Sequence, residues 1–313
     1  MNAQDLKYKT PLILDIKKNS LDDGPGIRSV IFLKGCPLSC LWCHNPEGIK
    51  FKKELSFDLN ACIKCDGCIL VCPENALSRN NKDFVNRQKC SLCMRCVEVC
   101  PAQALAEVGV ERTIEELVDE VFTDDAFFKN SGGGVTLSGG EATQFPEFAG
   151  KLLKAFKAKE IHTLLQTNGL FNYADFKAYL CPYLDLIYFD VKIFRSEKHE
   201  KFCGVNNRVI LKNFTKIFKE YLDGGVEVFP RVPLVPGITA KPENLREIAD
   251  FFMQNKVEEI GVLDYNLLWS NKAYKLGIHP EFKDTSFLTE MMSDADINAC
   301  QKTFLDAGFQ ISR

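Results

Sequence analysis

The distribution of cysteines constrains this chain more than any other feature. The chain has 14 cysteines in 313 residues, and eleven of them lie in three tight groups, whereas Cys181, Cys203 and Cys300 stand alone. In a short secreted protein so many cysteines would indicate disulfides, but this chain has the length of an enzyme. Closely spaced thiols in a reducing compartment indicate bound metal.

The remaining composition is that of an ordinary globular protein, with 46% apolar and 26% charged residues. The 39 basic and 42 acidic residues are mixed along the chain, so we expect no nucleic-acid partner. No apolar run approaches the roughly 18 to 20 residues that cross a bilayer. The N-terminal segment MNAQDLKYKTPLILDI lacks the features of a signal peptide. We therefore expect a cytoplasmic protein without a membrane partner.

Strand-like and helix-like stretches alternate over most of the chain. This rhythm predicts an α/β fold with a parallel sheet, whose functional side chains lie at the C-terminal strand ends. Six stretches read as buried strands, which favours an open six-stranded (β/α)6 barrel built from residues 1–53 and 107–313. The six are RSVIFLKG, GVTLSGG, IHTLLQTNG, YLDLIYFDVK, GGVEVFPRVP and KVEEIGVLDY.

Residues 54–106 form an insert with eight cysteines and an internal repeat. CIKCDGCILVCPENAL at 62–77 recurs as CSLCMRCVEVCPAQAL at 90–105, at an offset of 28 residues. Each copy has the spacing C-x2-C-x2-C-x3-C-P of bacterial ferredoxins with two clusters, in which the fourth cysteine serves the other cluster. This α+β segment has almost no apolar core, so its metal must hold it together.

The ferredoxin pattern assigns ligands to two [4Fe–4S] clusters, and the alternative is a pair of zinc sites. One predicted ligand set is Cys62, Cys65, Cys68 and Cys100, and the other is Cys72, Cys90, Cys93 and Cys96.

Cys36, Cys40 and Cys43 form a third group, with the spacing C-x3-C-x2-C. Three thiolates leave one iron of a [4Fe–4S] cluster without a protein ligand. An open coordination position is typical of a catalytic metal site. A zinc site, or a cluster whose fourth ligand comes from elsewhere in the chain, is the alternative.

The segment around this group, DDGPGIRSVIFLKGCPLSCLWCHNPEG, closely resembles the glycyl-radical-enzyme activating enzymes of the radical S-adenosylmethionine (AdoMet) superfamily. The resemblance continues through SGGGVTLSGGE, LQTNG, YFDVK and RVPLVPG and covers almost the whole chain. It implies that AdoMet chelates the fourth iron and is cleaved reductively at Cys36, Cys40 and Cys43. The resulting 5′-deoxyadenosyl radical would take a hydrogen atom from a glycine of a partner enzyme. The cofactor supplies this chemistry, and the protein orients it.

The ferredoxin-like insert is similar to that of activating enzymes for dehydratases, decarboxylases and lyases. Together with the catalytic group it implies three [4Fe–4S] clusters, with flavodoxin or ferredoxin as electron donor. We expect a monomer. The insert is interpreted as an electron relay, and the alternatives are that its clusters only maintain its shape or that it docks the partner.

The resemblance also implies a set of AdoMet-binding residues. Glycines would let the backbone approach the ligand, and a carboxylate would accept a hydrogen bond from its ammonium group; the alternative is a simple glycine-rich turn. Two charged residues on one strand face would bind AdoMet, or would form a structural salt bridge. The tryptophan would contact adenine, or would only pack. The predicted residues are Trp42, Gly139, Gly140, Glu141, Thr167, Asp190, Lys192, Arg231 and Asn266.

Two departures from the family pattern concern details of this pocket. Gln166 replaces an aspartate of the pyruvate formate-lyase activating enzymes, which weakens the implied monovalent cation site near Asp190. Asn266 replaces a histidine and cannot titrate. Asp23, in the DGPG turn, is the predicted contact for the glycine loop of the partner.

Two other functions are compatible with part of these observations. A radical AdoMet enzyme that modifies a small molecule or another peptide would share the three-cysteine loop. An iron–sulfur protein that only transfers electrons would share the insert. The combined motifs favour the activating enzyme, and formation of a glycyl radical in a partner would distinguish it from both.

Overall fold

The computed structural model describes residues 10–221, 225–279 and 286–312. Residues 1–9 and 313, which the sequence assigns to the barrel domain, lie outside the described residues. Within the described ranges the strands are β1 (Leu12–Ser20), β2 (Arg28–Lys34), β3 (Glu54–Phe57), β4 (Leu105–Val108), β5 (Val110–Glu111), β6 (Gly134–Gly139), β7 (His162–Thr167), β8 (Leu186–Asp190), β9 (Glu227–Pro233), β10 (Glu259–Leu263) and β11 (Gln310–Ser312).

The α-helices in the same ranges are α1 (Gly67–Leu70), α2 (Arg95–Glu98), α3 (Ile114–Phe122), α4 (Asp125–Ser131), α5 (Pro146–Lys157), α6 (Tyr173–Asp175), α7 (Ser196–Cys203), α8 (Arg208–Tyr221), α9 (Pro242–Gln254), α10 (Leu268–Lys275) and α11 (Asp294–Asp306). A π-helical turn, Phe176–Leu180, continues α6. The short 3-10 helices are Pro46–Gly48, Ala142–Gln144, Cys181–Tyr183 and Ser286–Thr289.

The main sheet has the strand order β11-β10-β9-β8-β7-β6-β2-β1-β5. Strands β2 and β6 to β11 run parallel, whereas β1 pairs antiparallel with both β2 and β5. The prediction of an α/β fold with a central parallel sheet is confirmed, and the six predicted strands are β2 and β6 to β10. The sequence analysis did not count β11, which pairs with β10 over three residues and is too short to show a period.

Burial explains why these segments form a parallel sheet. Strand β2 is buried along almost its whole length, as expected for a strand that is covered on both faces. The crossover helices bury one side; α5 places Phe148, Leu152 and Phe156 in the core. Helix α3 begins with a capping box between Thr113 and Glu116. The C-terminal ends of the parallel strands therefore meet at one edge of a rigid scaffold.

The insert has a small sheet and a small core of its own. Strands β3 and β4 pair antiparallel, with Glu54 opposite Val108. The predicted boundary at 106 falls inside β4, and the domain limits stay a prediction. Its apolar cluster contains nine buried residues, two of them cysteines, against 44 in the main core among the described residues. So small a core agrees with the expectation that metal stabilises the insert.

The backbone reproduces the internal repeat that the sequence shows. Non-glycine residues adopt left-handed conformations at three pairs of positions that are 28 residues apart. The φ values are 63° and 57° for Lys64 and Leu92, 61° and 61° for Asp66 and Met94, and 49° and 50° for Asn75 and Gln103. The two cysteine motifs are thus folded in the same way.

Candidate active site

The predicted site residues lie at or near the C-terminal ends of neighbouring parallel strands. The three-cysteine loop follows β2, and the segment Gly139–Gly140–Glu141 follows β6. Thr167 ends β7, Asp190 ends β8, and Arg231 lies in β9, directly opposite Asp190. The topology brings together residues that are more than 190 positions apart in the sequence.

Backbone hydrogen bonds hold the three-cysteine loop from two sides. The Cys36 amide donates to the Ile49 carbonyl at 3.0 Å, which closes the loop on itself. The amides of Ser39 and Leu41 donate to the carbonyls of Cys203 and Phe202, at 2.9 and 3.1 Å. The end of helix α7 thus supports the middle of the loop. The loop conformation therefore has protein contacts that do not depend on metal.

The cysteines of this loop have different thiol environments. Burial and the neighbouring Cys43 raise the pKa of Cys36 well above its usual value, and burial raises the pKa of Cys43 to about 12. The neighbouring thiols of Cys40 and Cys203 interact, which lowers the pKa of Cys40 and raises that of Cys203. Metal ligation requires thiolates, so loading this site with metal must release protons.

Gly139 and Gly140 approach the base of the cysteine loop. A Cβ on Gly140 would lie 2.3 Å from the carbonyl oxygen of Gly35 and 2.5 Å from that of Gly48. Gly139 has φ +108°, and a Cβ there would lie 2.3 Å from the Leu33 carbonyl oxygen. The glycines are therefore required by close packing between two strand ends, whatever contact they make with a ligand.

Glu141 is buried and linked to the end of β7. Its carboxylate accepts from the hydroxyls of Thr143 and Thr167 at 2.7 and 2.9 Å, and from the backbone amide of Asn168 at 2.7 Å. Burial nevertheless raises the pKa of Glu141. The carboxylate thus joins the turn after β6 to the turn after β7, next to the cysteine loop.

Asp190, Lys192 and Arg231 form a buried charged group. Asp190 Oδ1 accepts from Arg231 Nε at 2.9 Å, and Lys192 Nζ lies 3.2 Å from Asp190 Oδ2. Burial opposes ionisation, but Arg231 and Lys192 hold the pKa of Asp190 below its usual value. Arg231 also stacks over the ring of Tyr188, at 4.7 Å from the centroid. The group carries one net positive charge, which suits an anionic ligand group.

Asp23 reaches the same edge through Gln166. The Gln166 side chain donates to Asp23 Oδ1 at 3.0 Å and accepts from the Ser138 hydroxyl at 2.7 Å. Lys17 Nζ lies 3.3 Å from the second carboxylate oxygen. Burial opposes ionisation of Asp23, but Ser20, Gln166 and Lys17 hold its pKa below the usual value. Gln166, which replaces the aspartate of the family pattern, therefore positions Asp23, the predicted contact for the partner.

The other two predicted residues, Trp42 and Asn266, lie among apolar side chains and at the surface, respectively. Trp42 is buried in an apolar cluster that also contains Tyr265 and Trp269. This packing accounts for its burial, and the adenine contact stays a prediction. Asn266 is exposed, and its side-chain oxygen accepts from the backbone amide of Leu268 at 2.9 Å, at the start of helix α10.

The eight cysteines of the insert line two separate small cavities. Phe57 and Leu105 form part of the wall of the first cavity, and Leu55 and Leu77 part of the wall of the second. The first cavity has the sulfur set Cys62, Cys65, Cys68 and Cys100. The second has Cys72, Cys90, Cys93 and Cys96. These sets coincide with the ligand sets that the ferredoxin pattern predicts.

Two residues near the three-cysteine loop were missed by the sequence analysis. The side-chain amide of Asn168 donates to Cys36 Sγ at 3.5 Å, and its backbone amide binds Glu141. Its position in LQTNG, directly after Thr167, was the available signal. Cys203 was interpreted as an ordinary buried residue. It is buried, but it also contacts Cys40, and no spacing rule in the sequence indicates this contact.

Comparison with known protein families agrees with this geometry. The model described as "Radical SAM superfamily" matches residues 87–252, more than half of the chain. The model described as "4Fe-4S dicluster domain" matches residues 54–101, and a "4Fe-4S single cluster domain" matches residues 22–76.

Similar proteins are activating enzymes. The trans-4-hydroxy-L-proline dehydratase activating enzyme of Clostridioides difficile is 38% identical over 85% of this chain and 88% of its own length. The choline trimethylamine-lyase activating enzyme of Oleidesulfovibrio alaskensis is 35% identical over 96% of this chain and 97% of its own. The chain belongs to the glycyl-radical-enzyme activating enzymes of the radical SAM superfamily. The benzylsuccinate synthase activating enzyme of Thauera aromatica, 35% identical over 86% of this chain and 82% of its own, is a further relative.

A solved structure supports the fold of this activating enzyme. The radical SAM methyltransferase from Sphaerobacter thermophilus is similar with a TM-score of 0.53, at 12% identity, over 97% of this chain and 76% of the other. Within the described residues, no helix has the length and apolar character that crossing a membrane requires.

Proposed function

We propose that this activating enzyme cleaves AdoMet reductively at a [4Fe–4S] cluster held by Cys36, Cys40 and Cys43. The resulting 5′-deoxyadenosyl radical abstracts a hydrogen atom from a glycine of a partner glycyl radical enzyme. The partner is of the dehydratase, decarboxylase or lyase type. The observation that carries the proposal is the convergence of the cysteine loop, Glu141 and the Asp190 group at one edge of the sheet. The cluster supplies the electron, and the protein orients AdoMet.

The position of Cys203 supports an open coordination site. Its carbonyl accepts from the Ser39 amide at 2.9 Å, and its thiol interacts with that of Cys40. In this proposal Cys203 is a neighbour of a ligand, and the fourth iron is left for AdoMet.

The proposed AdoMet pocket consists of residues around this loop. Lys192 and Arg231 outnumber the single carboxylate of Asp190, so this group would bind the ligand carboxylate. A monovalent cation near Asp190 would have to displace Lys192 or Arg231 from its carboxylate, and Gln166 contributes only a neutral amide. Trp42 would contact adenine, and the exposed Asn266 would hydrogen-bond AdoMet. The remaining residues assigned to this pocket are Gly139, Gly140, Glu141 and Thr167.

The insert would hold two further [4Fe–4S] clusters, for a total of three. Two cavities, each lined by four cysteine sulfurs, support this assignment. We propose that the insert relays electrons from a flavodoxin or ferredoxin to the catalytic cluster that Cys36, Cys40 and Cys43 would hold.

The double change Cys62→Ser with Cys90→Ser tests the relay. AdoMet binding should be unchanged, and activation driven by flavodoxin or ferredoxin should fall much more than activation driven by a strong small-molecule reductant. Equal losses with both donors would indicate docking or folding instead. No loss with either donor would remove the electron-transfer role.

Asp23 is the proposed contact for the glycine loop of the partner. Its carboxylate is held by Gln166 at the edge where the cysteine loop lies. The open (β/α)6 barrel would admit that loop to the site. A monomer and a cytoplasmic location complete the proposal.

The experiment that tests the function uses reconstituted enzyme, AdoMet, dithionite and a glycyl radical enzyme as the candidate partner. Electron paramagnetic resonance (EPR) should detect a stable organic radical on the partner. This signal should be lost when the target glycine is changed to alanine. Formation of 5′-deoxyadenosine without a radical on the partner would show that the substrate is something else.

A further inference from the structure

The two cysteine repeats of the insert have the same backbone but different electrostatic surroundings. The first repeat has Arg79, which is exposed and forms an ion pair with Asp66. The second repeat begins after Arg87, which is half-buried. At the offset of 28 residues, the position that corresponds to Arg87 is Leu59, an exposed apolar residue. Position 59 therefore supplies no charge like that of Arg87. The cation of the first repeat, Arg79, lines the cavity of Cys62, Cys65, Cys68 and Cys100, but as part of an exposed ion pair.

Arg87 connects the insert to the barrel domain. Its Nη1 donates to the Leu55 carbonyl at 2.6 Å, and its Nη2 donates to the Lys275 carbonyl, at the end of helix α10, at 3.0 Å. Its Nε is buried and lacks a hydrogen-bond partner among the described residues. The same atom packs closely against Gly277, since a Cβ added to that glycine would lie 2.5 Å from it. The guanidinium is thus fixed on three sides.

The charge of Arg87 is not paired with a carboxylate. Both of its hydrogen-bond acceptors are neutral carbonyls. The nearby carboxylates are engaged elsewhere: Glu54 binds Lys34 and Lys50, and Asp83 binds His279 at 2.5 Å. Burial lowers the pKa of Arg87, and Glu54, Asp83 and Cys90 oppose this effect. A partly desolvated, unpaired cation acts more strongly on its surroundings than an exposed ion pair does.

Arg87 is adjacent to one of the two cavities. Leu55, whose carbonyl it binds, lines the cavity of Cys72, Cys90, Cys93 and Cys96. Phe57, two residues further along β3, lines the other cavity. Both ends of β3 are attached to the barrel domain, because Glu54 binds Lys34 and Asp58, which follows Phe57, binds Lys275 at 2.7 Å. The bond to the Leu55 carbonyl is what places Arg87 beside the second cavity.

We propose that Arg87 is a positioning residue that raises the reduction potential of the cluster held by Cys72, Cys90, Cys93 and Cys96, and so makes the two insert clusters inequivalent. This inference rests on the proposed assignment of two clusters to the insert. Each cluster accepts one electron from the reductant and gains one negative charge. A fixed cation stabilises the reduced form more than the oxidised form.

The test is a dithionite titration followed by EPR, in a background where Cys36, Cys40 and Cys43 are changed to Ala so that only insert clusters give signals. Arg87→Gln should lower the midpoint potential of one signal and leave the other unchanged. Arg87→Lys, which keeps the charge, should restore most of the potential. Arg195→Gln is the matched control and should shift neither signal, because Arg195 is exposed, pairs with Glu247 of helix α9 and lines neither cavity.

Three outcomes would overturn the inference. They are unchanged potentials in Arg87→Gln, an equal shift of both signals, and an equal shift in Arg195→Gln. Loss of about four irons in both Arg87→Gln and Arg87→Lys would show that the contacts, and not the charge, matter. A parent protein that binds no more than a few irons and gives no insert signal would instead refute the assignment of clusters to the insert.

Discussion

The three-cysteine loop and the eight-cysteine insert present the same ligand atoms in opposite structural settings. The loop follows a buried strand and is held by backbone bonds to Ile49 and to the end of α7. The insert has only nine residues in its apolar cluster, and cysteines are among them. The loop can therefore keep its shape through protein contacts alone, whereas the insert depends on its metal.

This difference separates two uses of one cofactor. At the loop the protein provides three sulfurs, which would leave one iron of the proposed cluster open to AdoMet, next to the charged group of Asp190, Lys192 and Arg231. In the insert each cavity provides four sulfurs and no open position. The first arrangement favours chemistry at the metal, and the second favours electron transfer and structural stability.

The largest expected effect comes from removing the three cysteines of the loop together. Cys36→Ala, Cys40→Ala and Cys43→Ala should abolish formation of 5′-deoxyadenosine and leave about eight irons bound in the insert. Product analysis by chromatography and an iron assay measure both results. Surviving turnover, or loss of all iron, would break the distinction between the two regions.

Removal of iron should affect the two regions unequally. In protein prepared without iron, amide hydrogen exchange should become fast in residues 54–108, because so small a core cannot hold the insert. The main sheet should remain protected, with β6 and β7 as internal references. Unchanged protection in the insert would show that its core suffices without metal.

Glu141→Ala should give a smaller, local effect. The change leaves the donors of Thr143, Thr167 and Asn168 without their acceptor beside the cysteine loop. We expect AdoMet affinity to fall by about 1.5–3 kcal/mol, the usual contribution of a hydrogen bond to a charged group. Calorimetry measures this loss. Glu147→Ala is the control, because Glu147 pairs only with the exposed Lys151. Equal affinities in both variants would exclude Glu141 from the site.

The smallest expected effect is a pH dependence of stability at the opposite end of the sheet. Both Nη atoms of the buried Arg28 lie 3.4 Å from His162 Nδ1. Burial, Arg28 and Lys157 lower the pKa of His162 below 6.5. Asp185 opposes this shift. The unfolded chain then binds more protons, so stability is lost as the pH falls below about 6.5.

His162→Gln tests this contribution. The variant should lose less stability than the parent between pH 7 and 5.5, in chemical denaturation experiments. The difference should be smaller than the effect of Glu141→Ala. An identical pH profile for the two proteins would show that His162 does not titrate in this range.

Much of this arrangement could be predicted from the sequence, for identifiable reasons. The alternation of apolar segments predicted β2 and β6 to β10, and strand direction then placed Glu141 and Asp190 at one edge. The cysteine spacing predicted the two sulfur sets of the insert. Cys203 could not be predicted, because its contact with Cys40 arises where α7 ends against the loop. Arg87 is equally hidden, because its partners are backbone carbonyls, which leave no trace in residue type.

The most direct test of the central claim follows the hydrogen atom itself. The partner enzyme is labelled with deuterium at the α-carbon of glycine and activated with unlabelled AdoMet and reductant. The account predicts that 5′-deoxyadenosine gains one deuterium, detected by mass spectrometry, in proportion to the radical formed on the partner. Unlabelled 5′-deoxyadenosine from an activation that generates the partner radical would contradict direct abstraction from glycine.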